Sequence, residues 1–204
     1  DDPNLIGSKK LIEMFHIKEV KFLFLSSLSA QKSIDSLYSI SKQNIENELF
    51  KAESVVLKLG LVIGDGGLFN RMNNYMKKSS IVPIFDGGNQ EIQYVGIDNV
   101  KDVVSFLISN FLSGEFVIIH QNSIVNKLFY SKLASKIGKK IYFISVNSSL
   151  MMFFLTFSES IGLKLPVTKE NLKGLKQMSP LKQKLPVGFN KNEIKSFSQI
   201  LEKL

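Results

Sequence analysis

The chain has 204 residues, 44% hydrophobic and 22% charged, an ordinary globular composition that argues against disorder. That length can bury one sizeable core, or one and a half small ones. It holds no cysteine, which excludes disulfides and thiolate metal centres, and its two histidines, His16 and His120, stand too far apart in sequence to suggest a metal site.

The net charge of +8 is uneven. Residues 1–126 carry 12 basic and 14 acidic groups, whereas residues 127–204 carry 14 and 4, so the positive charge gathers in the C-terminal part. Arg71 is the only arginine; the other cations are lysines. A solvated lysine-rich surface accounts for such a bias, and so does an acidic partner, either a nucleotide-linked substrate or an anionic membrane surface. Lysines without interleaved arginines and aromatics do not point to nucleic acid. The start, Asp1-Asp2-Pro3, does not read as a secretory leader. The most apolar stretch, residues 150–155, is far shorter than the ~20 residues that span a bilayer. A cytoplasmic location is expected.

Residues 4–15 read as a helix with Leu5, Leu11, Ile12 and Phe15 on one face. Residues 20–25 form a continuous apolar run, the pattern of a buried parallel strand. After a polar loop, residues 36–50 read as a helix with Ile40, Ile45 and Leu49 inward. Residues 54–59 are a second buried strand, and Leu61-Val62-Ile63 leads into a turn at Gly64-Asp65-Gly66-Gly67. A helix over 68–78, a strand over 81–85, a tight turn at Asp86-Gly87-Gly88-Asn89 and a strand over 92–97 follow. Asp98 is expected to cap a helix running to about Leu112. A strand over 116–119, a helix over 125–137 and a strand over 141–146 continue the alternation. Residues 150–161 read as an apolar helix, its stripe suited to core or a subunit contact. From Lys169, two short helices are expected around Pro180 and Pro186. Strands alternating with helices indicate an α/β protein built on a parallel sheet.

One constellation carries chemistry. The strand ending Phe24-Leu25-Ser26-Ser27 precedes a helix that bears Tyr38 and Lys42. Residues four apart on a helix are neighbours, so Lys42 is expected to hold its charge near the Tyr38 oxygen. A nearby cation favours the phenolate and lowers its pKa, which would make Tyr38 a general acid/base near neutral pH. Asp98 reads as a cap, Gly87-Gly88 as a turn, and both histidines as structural or exposed.

These segments resemble an extended short-chain dehydrogenase/reductase. The carriers are Asn4 to Glu13, Phe24-Leu25-Ser26-Ser27, Tyr38-Ser39-Ile40-Ser41-Lys42 with Glu46, Leu57 to Gly64, and Gln93 to Val100. They follow in the family's order, and the short gap from Ser27 to Tyr38 is most similar to NAD-dependent epimerase/dehydratase proteins of polysaccharide gene sets and to atypical complex I subunit-like members. The resemblance implies an NAD(P)-binding, Rossmann-like doubly wound parallel sheet, with residues 1–66 as the C-terminal part of that domain. Residues 67–204 would form a smaller substrate-binding region with interleaved returning strands. It implies Tyr38 as acid/base, Lys42 on the nicotinamide ribose, Ser27 on the reacting oxygen, and Gly60 and Leu61 approaching the cofactor through their backbones. The cofactor would be NAD or NADP and the substrate a nucleotide-linked sugar lying near residues 68–78 and 87–94. Peripheral membrane contact through residues 150–155 and a homodimer stay open.

The chain departs from that pattern. It contains no Gly-x-x-Gly-x-x-Gly, the turn that receives a cofactor pyrophosphate, and roughly the first four strands are expected to be missing. Lys58-Leu59 stands where the family often has Arg-Pro, Gly96 replaces a histidine and Asn99 an aspartate. These departures suit the alternative reading, a non-catalytic binding or assembly module.

Overall fold

The computed structural model describes residues 3–16, 20–50, 54–147 and 177–204. Helix α1 (Pro3–His16) precedes strand β1 (Leu23–Ser27), helix α2 (Leu37–Leu49) and strand β2 (Val55–Leu59). Strand β7 (Gly114–Ile118) returns beside β2, giving a three-stranded parallel sheet in the order β1-β2-β7. Ser27, Leu59 and Ile118 stand in register at its carboxyl end.

β2 shows why the apolar run is unbroken. Val55, Leu57 and Leu59 pack on one face against Val100, Val103 and Leu107 of helix α4 (Ile97–Ser109). Val56 points the other way, to Ile45 and Leu49 of α2 and to Leu5 and Ile12 of α1. Side chains alternate across a strand, so a strand covered on both faces needs apolar residues at successive positions. The exception is Lys58, on the α2 face. Its ammonium lies 3.2 Å from the Glu46 carboxylate and 3.3 Å from that of Glu115. The Ser26 hydroxyl donates to the other Glu46 oxygen at 2.5 Å. Four elements therefore converge on one buried polar knot under α2.

The rest of the chain builds a second body of side chains. Strand β3 (Leu61–Ile63) pairs in parallel with β6 (Tyr94–Gly96), and β4 (Ile81–Phe85) with β9 (Tyr142–Val146). The short β5 (Glu91–Ile92) and β8 (Ile124–Val125) are antiparallel. Helices α3 (Gly67–Lys78), α5 (Asn126–Lys136) and α6 (Phe197–Lys203) enclose their core. Phe129 is fully buried at its centre, edge-on to Phe69 and 4.9 Å from Phe197.

Several expectations are refined. The strand over 92–97 is two pieces, because Glu91–Ile92 pairs with β8 and Tyr94–Gly96 with β3; Gln93 between them turns its side chain to the backbone of Leu181 through paired bonds of 2.7 and 3.0 Å. Asp98 is not the cap of α4: Gly96 holds that position, and Asp98 lies in the first turn, where its carboxylate meets Lys101, Lys195 and Lys203. A carboxylate there is favoured by the helix dipole. Of the stretch after Lys169 in which two helices are expected, residues 169–176 lie outside the described residues, and the described part holds a 3-10 turn (Lys191–Glu193) and α6. Ahead of them an extended strap bridges Lys184 to Val117 in antiparallel fashion. The apolar run over 150–155 lies outside the described residues.

Candidate active site

A cleft of about 640 Å³ opens beyond the carboxyl ends of β1 and β2. Ser27, Tyr38, Gly60 and Leu61 all line it, so the fold brings together four of the five residues singled out from sequence. Leu68, Arg71 and Met72 of α3 form one wall, Phe85, Ile92 and Gln93 another, and Met178 of the strap a third.

Local structure places each chemical group. Ser36 caps α2 by accepting the Ser39 N–H at 3.1 Å, which orients the first turn, where Tyr38 sits. The Ser27 hydroxyl ends β1, lies 3.0 Å from the Ser29 hydroxyl and accepts the Ser29 N–H at 3.2 Å. Tyr38 is 51% exposed, yet its oxygen end is desolvated. That burial raises the phenol above its ordinary value, and a hydrogen bond with Ser27 partly opposes the shift.

This corrects the expectation that Lys42 would lower the Tyr38 pKa. The helical spacing is as read, but the Lys42 ammonium is drawn to the sheet: it donates to the Leu25 carbonyl at 2.9 Å and sits 4.5 Å from the Phe24 ring centroid. It is 5.8 Å from the Tyr38 ring centroid, and it is not among the residues that line the cleft. Coulomb attraction falls with distance and with solvent access, so desolvation wins at the phenol. The Tyr38 phenol is therefore shifted upward rather than toward the phenolate.

Gly60 has a packing reason of its own. A Cβ there would stand 2.6 Å from the Gln93 carbonyl oxygen and 3.0 Å from Ile119. The Leu61 N–H is used on that same carbonyl at 2.8 Å. Gly60→Ala is expected to cost about 2 kcal/mol through overpacking against backbone, read as a lower urea midpoint with an unchanged slope.

Other sequence candidates lie elsewhere. Gly87 and Gly88 take positive φ in a 3-10 turn and stay outside the cleft. His120 stacks on Tyr94 at 5.3 Å, and its Nδ1 lies 3.1 Å from the Tyr94 hydroxyl, which accepts the Phe197 N–H at 2.9 Å. This group ties α6 to β6. Among the described residues no cluster of His, Asp and Glu could hold a metal, and no helix is long and apolar enough to cross a membrane.

Sequence reasoning missed Asn126 and Tyr130, which reach the cleft from α5. No local pattern marks them, since they arrive through the β5–β8 pairing. The Asn126 side-chain oxygen is buried without a hydrogen-bond partner, and burial pushes the Tyr130 phenol up to about 12.

No family model matches the chain, and no curated protein matches it. Solved structures do. A dTDP-4-dehydrorhamnose reductase from Bacillus anthracis, in complex with NADP, superposes with a TM-score of 0.62 at 14% identity, covering 86% of this chain and 70% of that one. A dTDP-glucose 4,6-dehydratase from the same organism, in complex with NAD, gives 0.57 at 14% identity, covering 85% and 67%. A UDP-N-acetylglucosamine 4-epimerase from Bacillus cereus gives 0.56 at 16% identity, covering 71% and 58%. The chain shares their Rossmann-like α/β fold. It spans between 57% and 71% of the length of such neighbours. In open Rossmann-like sheets ligands lie outside the carboxyl ends of the strands, and here that place is occupied by the cleft with Ser27, Tyr38 and Gly60.

Proposed function

We propose that this chain carries the acid/base portion of an NAD(P)-dependent enzyme acting on a nucleotide-linked sugar, in the manner of the reductases, dehydratases and epimerases whose fold it shares. The observation that carries this reading is the convergence of Ser27 and Tyr38 on a cleft that also receives Arg71. Arg71 is the only arginine of the chain and has no ion-pair partner among the described residues. It projects from the first turns of α3, whose amino end is capped by Gly66 without a side-chain bond. Unsatisfied N–H groups and a guanidinium at one wall favour an anionic group such as a diphosphate.

The sugar would then extend from that wall toward Tyr38. A bound nicotinamide would supply or accept the hydride; Tyr38, Ser27 and Gly60 suit its reacting end. Tyr38, held protonated, would give its proton to a sugar carbonyl oxygen during reduction and recover it in the reverse direction. Ser27 would fix that oxygen by a hydrogen bond. Met178, Leu68, Met72 and Phe85 would keep water from the reacting carbon.

Titration calorimetry with UDP-glucose and dTDP-glucose tests the reading. Binding is expected, weakened about ten- to a hundredfold by Arg71→Gln, since a charge-assisted hydrogen bond is worth about 1.5–3 kcal/mol. Indifference of binding to the diphosphate, with glucose alone equally effective, would sink it. A binding role without turnover is the second reading, favoured by the engagement of Lys42 with the Leu25 carbonyl.

A further inference from the structure

The two-stranded sheet β4–β9 carries a face that the proposed chemistry does not use. β4 and β9 run parallel with Ile81 opposite Tyr142 and Pro83 opposite Ile144. Alternation sets these four on one face. Ile81 is 49% exposed, Tyr142 66% and Ile144 49%, whereas Val82 and Ile84, facing the other way, are buried in the core. A sheet face that meets water is normally polar; this one is apolar.

The amino ends of its two strands are flanked by lysines. Lys77 and Lys78 end α3 just before β4, and Lys136, Lys139 and Lys140 lead from α5 into β9. Lys139 clasps the two corners together by donating to the Met76 and Lys77 carbonyls, both at 3.0 Å. The Tyr142 N–H donates to Ser80 at 2.7 Å. Lys77, Lys78, Lys136 and Lys140 are exposed around the amino ends of the two strands, and none has an ion-pair partner among the described residues.

We propose that this face docks on an anionic phospholipid surface. Ile81, Ile144 and Tyr142 would enter the headgroup boundary while the lysines meet lipid phosphates, the combination that holds peripheral proteins at interfaces. A second copy of the chain is disfavoured, because a two-fold contact sets the same patch against itself and these lysines would repel. Nucleic acid is disfavoured because the face offers two isoleucines, a proline and a single aromatic rather than a stacking platform. Of the residues in these two strands, only Phe85, at the carboxyl end of β4, lines the cleft.

Co-sedimentation of the chain with phosphatidylcholine vesicles, with and without phosphatidylglycerol, tests the proposal. Binding is expected only with the anionic lipid and is expected to fall as salt rises. Lys77→Gln, Lys78→Gln and Lys140→Gln should each weaken it about fivefold. Tyr142→Ser with Ile144→Ser should weaken it about tenfold through lost apolar burial, with an unchanged Tm as the control. Should that double variant unfold, hydrogen exchange of the wild type decides instead, with protection of residues 81–85 and 142–146 on anionic vesicles expected. Equal binding to neutral vesicles, no binding, or salt-sensitive binding untouched by the lysine variants would overturn the proposal. So would capture by DNA in place of vesicles, or dimerisation lost on Tyr142→Ser.

Discussion

Tyr38→Phe is expected to lower kcat by about 10²–10⁴-fold with little change in KM, the range for losing a general acid/base. The assay follows nicotinamide absorbance with UDP- and dTDP-sugars. The phenol oxygen is the group lost, while the ring that shapes the cleft wall stays. A drop of less than threefold would remove Tyr38 from the chemistry. Binding of the sugar nucleotide with no turnover by the wild type would instead support the binding-only reading. The same variant reports the protonation state. Burial holds the Tyr38 phenol above its ordinary 10.0, so the wild-type minus variant ultraviolet difference should show phenolate only above pH 10. The raised value also sets a sign for stability. The folded state keeps the proton that the unfolded state releases, so this contribution is complete below pH 10 and is lost as pH rises through the folded value.

Glu46→Ala is expected to cost about 3 kcal/mol in urea unfolding, because removing one partner of a buried ion pair leaves the other uncompensated. Glu46 is 3% exposed, accepts from Ser26 and faces Lys58. Lys58 would retain Glu115, itself partly open to solvent, and the Ala30 carbonyl at 3.2 Å, which keeps the loss at the lower end of that range. Glu46→Gln preserves an acceptor for Ser26 and should cost about 1 kcal/mol. Burial is the largest influence on Glu46 and raises its carboxyl pKa; Ser26 and Lys58 oppose it, and Glu115 adds to the rise. The folded state therefore holds its proton to higher pH than the unfolded state, so this contribution is present below pH 4.5 and declines as pH rises through the folded value. Glu46→Gln should flatten that part of the stability profile. The knot also aligns α2 on the sheet, and Tyr38 lies about two turns away on the same helix. Loss of turnover in Glu46→Ala should therefore be partly restored in Glu46→Gln. A cost below about 1 kcal/mol for the alanine variant would show that α2 is held by apolar contacts alone.

Much of this fold was readable along the chain. Val55 to Leu59 had to be covered on both faces, because five successive positions with one polar exception leave no side for water. The helix starting near Ser36, and Tyr38 and Lys42 as neighbours on it, followed from helical period. Gly66 and Gly67 marked a turn, and they do take positive φ there.

What lay beyond sequence was every quantity set by remote partners. Met178 forms a cleft wall because Gln31, Gln93 and Val117 hold the strap in place. Asn126 and Tyr130 enter the cleft through a pairing of two-residue strands, too short to leave a periodic signal. Lys58 looked like a departure from a motif, and its partners Glu46 and Glu115 appear only when α2, β2 and β7 are stacked. By itself the sequence determined which groups could do chemistry and their order on strand and helix, since hydrogen-bonded periodicity is local. The tertiary structure alone decided the direction of the Tyr38 shift, because desolvation depends on what is packed around the oxygen, and the nearest cation in sequence was claimed by a carbonyl of the sheet.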